Sequence, residues 1–281
     1  MFKKILKIAI VSFVLLLVAL YIAFVYFTSP KSDKTILASF EKSKIKPIIS
    51  KEKYKGFDYR KIAVVKDTIL PTVVFVHGTI GSLNDFNKYM IDEELQNRLN
   101  MVSYDRIGYN YQDKNPVQES IAFERDMLLQ ILKPYSRNKL ILVGYSYGGP
   151  IALSVKQKLK RIVLLAPAVM SKVEPMPWAI NFYKWRLTRW LVPYIWKQAS
   201  KEKISHKADL KKFEKEWYNT PNKVKVIHGD ADWIVPYENS LLLKKQFPEN
   251  QFELKTIPEA SHGLVWSNFE FIKKELLKST N

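Results

Sequence analysis

The chain has 281 residues, of which 47% are hydrophobic, enough to bury one core of the larger α/β size with an insertion, or at most two small cores. It contains no cysteine, which excludes a disulfide framework, a thiolate metal site and a cysteine nucleophile. The net charge of +18 is uneven: residues 1–70 carry fourteen Lys or Arg against five Asp or Glu, and residues 167–220 carry eleven against five.

From Ile8 to Phe27 no residue is charged, and at ~1.5 Å per residue a helix of this length crosses the ~30 Å hydrocarbon core of a bilayer. A signal peptide competes with an uncleaved anchor for this segment. Its apolar region is usually shorter and ends in small residues, whereas this one ends Tyr21-Ile22-Ala23-Phe24-Val25-Tyr26-Phe27. The reading favoured is a single-pass transmembrane anchor over residues 1–30, with Tyr26 and Phe27 near the far interface. Lys3, Lys4 and Lys7 precede the span while Lys31 and Lys34 follow it. That small excess puts the N-terminus in the cytoplasm and the body on the extracytoplasmic side. Residues 31–56 read as a basic stem, drawn to anionic headgroups or simply solvated. No nucleic-acid partner is expected, because no recognition motif accompanies the stem.

Beyond the stem, short apolar runs alternate with helical patterns, the signature of an α/β fold with a mostly parallel sheet and helices on both faces. The strands predicted are Ile62–Val65, Thr72–Val76, Met101–Tyr104, Leu140–Val143, Arg161–Leu165, Lys223–Ile227 and Phe252–Ile257. Several are continuous Val/Ile/Leu runs, as strands buried on both faces require. The helices predicted are Leu83–Leu99, Val117–Lys133, Tyr147–Leu159, Glu238–Phe247 and Leu264–Leu277.

One interval breaks the alternation. From Ala168 to about Asn222 there is no strand pattern, and the segment holds Trp178, Trp185, Trp190, Trp196 and Trp217, five of the seven tryptophans. Tyr183, Leu187, Trp190 and Tyr194 recur at helical spacing, with Pro193 expected to end or kink that helix. Helices inserted there form a cap over the carboxyl edge of the sheet, where open α/β folds bind ligands. Taken singly, each of these aromatics is expected to pack the cap onto the body.

Gly144-Tyr145-Ser146-Tyr147-Gly148 follows the apolar run Leu140–Val143 and precedes a helical pattern. In that setting G-x-S-x-G marks a sharp strand-to-helix turn that lifts a serine hydroxyl into a site. Side chains two positions either side of the serine would strike the neighbouring strand and helix, so glycines stand there. The helix that follows aims its N-terminus at the site and leaves the amide of Tyr147 available to an oxyanion.

A nucleophilic serine needs a base, and the base an orienting acid. His262, in Ala260-Ser261-His262-Gly263, follows the last predicted strand, and Asp232, in Gly229-Asp230-Ala231-Asp232, follows the one before it. Asp230 competes for the role of the acid. The order Ser146, Asp232, His262 is the Ser, acid, His order of one fold class. His228 reads as a packed residue at a strand end, and His206, among Lys203, Ser205 and Lys207, as solvated surface. The chain has neither H-E-x-x-H nor a clustered histidine pair, so neither a metal nor another cofactor is expected.

Over roughly residues 57–278 the chain resembles the α/β-hydrolase superfamily. The matching features are His77-Gly78-Thr79 after one strand, Asp105-Arg106-Ile107-Gly108 after the next, the serine elbow, the Gly-Asp-Ala-Asp turn and the late Ser-His-Gly, in that order. The resemblance implies a hydrolase domain over 57–281 with a helical cap at about 168–222. It implies Ser146 as nucleophile, His262 as general base and then acid, and Asp232, the second aspartate of its turn, as the carboxylate that fixes the tautomer of His262. It further implies an oxyanion hole from the backbone amides of Thr79 and Tyr147, with His77 bracing that loop. Ile107 and Asn110 depart from the family's Asp-Arg-Pro-Gly turn and the second glycine frequent after it. Serine in place of aspartate at the elbow argues against dehalogenases and epoxide hydrolases. The expectation is a membrane-anchored serine hydrolase, carboxylesterase- or lipase-like, cleaving an ester-type bond of a small or lipid-like acyl substrate. An acyltransferase or a peptidase on the same triad, and a non-catalytic binding protein of the same fold, stand as alternatives.

Overall fold

The computed structural model describes residues 2–112 and 115–280. Eight strands form one sheet: β1 (Ile48–Tyr54), β2 (Phe57–Val64), β3 (Thr72–Val76), β4 (Asn100–Tyr104), β5 (Leu140–Tyr145), β6 (Arg161–Leu165), β7 (Val224–Gly229) and β8 (Phe252–Ile257), in the spatial order β1-β2-β4-β3-β5-β6-β7-β8. From β4 through β8 neighbours run parallel, while β1 and β2 form an antiparallel hairpin at one edge. The helices are α1 (Phe2–Thr28), α2 (Asp33–Ser39), α3 (Asn87–Met90), α4 (Glu93–Arg98), α5 (Ile121–Leu132), α6 (Gly148–Leu153), α7 (Ile180–Lys184), α8 (Tyr194–Leu210), α9 (Glu238–Lys244), α10 (Leu264–Ser267) and α11 (Phe269–Lys278).

Successive strand residues point to opposite faces, so each buried strand supplies two cores. Val74, Val76, Leu142, Leu164 and Val226 pack with Met127, Leu128 and Ile131 of α5 and Ile151 of α6. Their neighbours Val73, Phe75, Ile141, Val143, Val163 and Ile227 pack with Leu264 of α10 and Phe269, Ile272 and Leu276 of α11. All seven predicted strands form. The pairing of Val76 with Gly144 and of Gly229 with Ile257 aligns the carboxyl ends of β3, β5, β7 and β8, and the loops that follow them meet at one edge.

Three expectations are corrected. The stretch 31–56, read as a stem outside the fold, contributes α2, whose Ile36 packs with Phe40 in the second core, and the whole of β1. Lys51, Glu52 and Lys53 hid that strand, because an edge strand tolerates charge that a central one does not. The hairpin turns on Lys55 (φ 47°) and Gly56 (φ 85°), the pair of positive values that a two-residue type I′ connection needs. Secondly, Leu83–Leu99 is not one helix: Asp92 accepts from the Leu95 amide at 2.9 Å and starts α4 afresh. Thirdly, Tyr183, Leu187, Trp190 and Tyr194 do not share one helix: α7 ends at Lys184, Arg189–Leu191 form a separate 3₁₀ turn, and Tyr194 begins α8. Pro193 opens α8 instead of ending its predecessor, and Trp178, Trp185, Leu187 and Trp190 are exposed.

The insertion between β6 and β7 is helical, and its longest element, α8, meets the body through a mixed face: Ile195, Ala199 and Leu210 are buried together with the polar Gln198, Glu202, His206 and Asp209. Gln198 accepts from the Val117 amide at 3.0 Å and Asp209 from the Ile121 amide, the first of α5, at 2.6 Å. Glu202 accepts from Thr79 Oγ1 (2.6 Å), from the Tyr109 hydroxyl (2.9 Å) and from the guanidinium of Arg106. Arg106 is wholly buried, and Glu124 lies 3.5 Å from its Nε.

A second buried cation ties the segment after α1 to the body. Arg60 donates to Asp105 at 2.7 Å and, from its other side, to the Lys31 carbonyl and Asp33, each at 2.8 Å. Asp105 in turn accepts from the Leu83 amide.

Two outcomes follow from these buried charges. Arg60→Met strands the Asp105 carboxylate and is expected to cost about 3–5 kcal/mol of stability, read by thermal unfolding of the full chain in detergent. Burial raises the Glu124 carboxyl to about 7, with Arg106 opposing that rise and Glu202 adding to it. The folded state therefore holds this proton more tightly than the unfolded chain, and the associated stability is lost as pH rises from about 4.5 to about 7. Glu124→Gln mimics the protonated form. Its stability relative to the parent is expected to climb across that window and then level off, in denaturation measured at a series of pH values.

Candidate active site

Ser146 sits between β5 and α6 with φ 53°, a left-handed conformation that costs a non-glycine residue energy and is held only where the surroundings over-determine it. Here they do. The Ser146 amide donates to the Leu165 carbonyl of β6 at 2.9 Å, and its carbonyl accepts from Gly149 (2.9 Å) and Ala168 (3.2 Å). A Cβ on Gly144 would strike the Gly148 carbonyl and Ala152, and one on Gly148 would strike the carbonyl of Val76. Both glycines are thus required by close backbone approach.

The serine hydroxyl faces a histidine. Ser146 Oγ lies 3.1 Å from His262 Nε2, and His262 Nδ1 lies 2.7 Å from Asp232 Oδ2. Tyr145 holds that histidine in place: its ring stacks on the imidazole at 5.2 Å and its hydroxyl donates to the His262 carbonyl at 3.0 Å. The other oxygen of Asp232 accepts from the amides of Ile234 and Val235, both at 2.9 Å. Burial alone would raise this carboxyl, but hydrogen bonds from His228, His262 and the Val235 amide outweigh it and hold it well below the usual range. Asp230 does something else: it accepts from the Glu259 amide at 2.7 Å and fixes the following turn.

A second histidine, buried at the end of β7, shares the same carboxylate. His228 Nε2 is 3.2 Å from Asp232 Oδ2 and 3.0 Å from the Val235 carbonyl, and its Nδ1 is 2.6 Å from Ser240 Oγ. Two acceptors on one nitrogen place the proton at Nε2 and leave Nδ1 to accept from Ser240. From its place at a strand end, His228 reads in the sequence as a packed residue. Its bond to the acid was not visible there, because the four-residue separation from Asp232 spans a strand end and a turn.

The loop after β3 lies against the serine. Gly78 approaches so closely that a Cβ there would sit 2.9 Å from Ser146 Cβ. His77 Nδ1 donates to the Gly78 carbonyl at 2.7 Å, and its Nε2 accepts from the Arg106 amide at 3.0 Å. Burial, with the Arg106 charge assisting, pushes its pKa well down, so the ring is neutral and braces the loop. Ile80 has φ 64°, a strained value for a β-branched side chain. Among the described residues the Thr79 and Tyr147 amides donate to no protein acceptor, while Thr79 Oγ1 is pinned by Glu202 and the Tyr147 ring lies 4.4 Å from the Arg106 guanidinium.

His206 corrects an expectation of solvated surface. It is buried, with Nε2 3.0 Å from the Ala168 carbonyl and its ring 4.5 Å from that of Tyr147. Burial, joined by the charge of Lys203, lowers its pKa to about 3. The signal that could have placed His206 and Glu202 is their shared spacing with Gln198 and Asp209, the polar part of a mixed helical face. Among the described residues no cluster of His, Cys, Asp or Glu could hold a metal ion. The arrangement around Ser146 offers a hydroxyl, a base within reach of its proton, a carboxylate behind the base and two unspent amides beside it.

A family model described as the alpha/beta hydrolase fold matches residues 71–225, more than half of the chain. A search of curated proteins by sequence finds no match. Among solved structures, the chain resembles an esterase from Exiguobacterium antarcticum, 16% identical with a TM-score of 0.64, covering 80% of this chain and 96% of that one. It also resembles an alpha/beta hydrolase enzyme from a Medee basin deep-sea metagenome library, 16% identical with a TM-score of 0.61 over 82% and 96% of the two chains. A hydrolase from Pseudomonas aeruginosa PA01 is 14% identical with a TM-score of 0.63 over 82% and 97%. At such identities the likeness is one of fold, and with the family match it places the chain in the α/β-hydrolase fold family.

Proposed function

We propose that the chain is a serine hydrolase that cleaves an ester-type bond of an apolar acyl substrate and is held at a membrane by α1. The observation that carries the reading is the unbroken line from Ser146 Oγ through His262 to Asp232, at 3.1 and 2.7 Å. His262 Nε2 takes the hydroxyl proton as Oγ attacks the acyl carbon, and Asp232 keeps Nδ1 protonated and stabilises the imidazolium. The Thr79 and Tyr147 amides, left without protein acceptors, receive the oxyanion. The tetrahedral intermediate collapses to an acyl-enzyme as His262 returns the proton to the leaving oxygen. Water, deprotonated by the same ring, then releases the acid and frees Ser146.

For the membrane, α1 is 27 residues long, contains an 18-residue stretch with a mean hydropathy of 3.0 and has none of its residues buried in the protein, dimensions that suit a span. A signal sequence passes the same test of length and composition. The lysines before the span favour a cytoplasmic N-terminus with the catalytic body on the extracytoplasmic side.

A fluorophosphonate probe is expected to label the full chain at one serine and to leave Ser146→Ala unlabelled, with ester hydrolysis down by more than about a thousandfold. A folded parent that takes no label removes the proposal. Asp232→Asn presents an amide to His262 Nδ1 and favours the wrong tautomer, so kcat is expected to fall by about 10⁴-fold, whereas Asp230→Asn stays within about threefold of the parent, since it touches only the Glu259 turn. Hydrolysis rates of both variants on one soluble ester decide between the two aspartates.

A further inference from the structure

The insertion carries an apolar surface that the chemistry at Ser146 leaves unused. Trp178, Phe182 and Trp185 form a string, with ring centroids 5.7 and 6.4 Å apart, and Leu187 and Trp190 continue it. Trp178 is 74%, Leu187 88% and Trp190 72% exposed. A patch of this kind marks an interaction surface. Its charge is one-sided: residues 175–201 include Lys184, Arg186, Arg189, Lys197 and Lys201 and no Asp or Glu.

Its height relative to α1 is fixed by a contact. The Phe24 ring packs on Trp196 with centroids 5.1 Å apart, and Trp196 lies in the first turn of α8, six residues after Trp190. Phe24 is three residues inside the end of the uncharged run Ile8–Phe27, or ~4.5 Å along the helix. With α1 in a bilayer, which rests on the reading proposed above, a body residue that touches Phe24 is at the depth of the headgroup and upper acyl region. Tryptophan and tyrosine favour that depth, and short amphipathic segments with basic polar faces lie in it.

We infer that the exposed aromatic face of the insertion, Trp178 to Trp190, is seated in the interface of the same bilayer that holds α1, with Lys184 and Arg186 on anionic phospholipid headgroups. Among the described residues neither cation has a carboxylate partner, and headgroup phosphates supply the missing charge. Arg189 is spent differently, bonding the carbonyls of Tyr183 and Lys184 and so stiffening the turn that presents Leu187. From the seated face, α8 runs inward to Glu202 and Thr79. Trp196 and Glu202 are six residues apart, ~9 Å of helix, so the loop that Glu202 holds through Thr79 lies within about one and a half helical turns of the contact with α1 along α8.

Because the chain has no cysteine, single substitutions give unique labelling sites. Full-length Leu187→Cys, Leu16→Cys and Asn250→Cys, each carrying a nitroxide, are reconstituted into vesicles of phosphatidylcholine with phosphatidylglycerol. Collisions with oxygen are compared with collisions with a water-soluble nickel chelate. The oxygen-to-nickel ratio at Leu187→Cys is expected to exceed that at exposed Asn250→Cys by at least about threefold, as for a residue buried a few ångströms into the acyl boundary, and to fall when phosphatidylglycerol is omitted. A ratio equal to that of Asn250→Cys while Leu16→Cys reads lipid overturns the seating alone and leaves the anchor standing; dimerisation through the patch, seen as spin–spin broadening at Leu187→Cys with such a ratio, does the same. A water-like signal at Leu16→Cys overturns the anchor and the seating together.

Discussion

The carboxylate of Glu202 is the point on which the upper half of the molecule converges. It reaches from the insertion into the body and receives Arg106, Tyr109 and Thr79 at once. An ion pair taken wholly out of water gains little net stability, because desolvation consumes most of the Coulombic return. What it does supply is geometry. A wholly buried guanidinium beside Glu202 and Glu124 has few arrangements that leave no charge unpaired, and each of them fixes α8 against the Arg106 turn. Through Thr79 Oγ1 the same carboxylate fixes the loop whose amides stand beside Ser146.

The machinery around Ser146 follows a related logic. Asp232 must present one oxygen to His262, and every other contact of the carboxylate restricts how it can turn. Two backbone amides hold Oδ1, and His228, itself anchored by Ser240 and the Val235 carbonyl, shares Oδ2 with His262. Tyr145 secures the histidine from the other side. Positive φ values are carried at this edge by Ile80 and Ser146, and also by Ala166 after β6 and Glu259 after β8. In the reaction proposed for this site, groups fixed in this way need not reorganise as charge develops, which is the condition under which fixed dipoles are most effective.

The sequence made the parallel strands legible because a strand buried on both faces must be apolar along its whole length, as Thr72–Val76 and Leu140–Val143 are. It made Ser146, Asp232 and His262 legible because each stands in a short turn with its own residue signature. What it concealed shares one cause: apolar periodicity is a proxy for burial, and it fails where burial is polar or exposure is apolar. α8 buries Gln198, Glu202, His206 and Asp209, so its inner face looked like surface, and His206 was placed in solvent. β1 carries three consecutive charged residues on an edge. Trp178, Trp185 and Trp190 looked like core because aromatic residues usually are, and they are outside it.

These failures bear on one another. The insertion docks through the polar groups of α8 and through the buried Trp217, with Phe213 stacked on it, and Trp178, Trp185 and Trp190 take no part in that docking. α1 meets the body at Phe24 on Trp196, and the segment just after it is held separately, Lys31 and Asp33 on Arg60, which is bound in turn to Asp105. One joint would leave the body free to swing about the helix end, but two at different positions along the chain restrict that rotation. The aromatic face thus has a set orientation relative to α1, and its direction is a property of the fold. A face held beside an apolar helix in this way meets whatever medium surrounds the end of that helix, and a run of tryptophans interleaved with cations is least costly where that medium is part hydrocarbon and part phosphate.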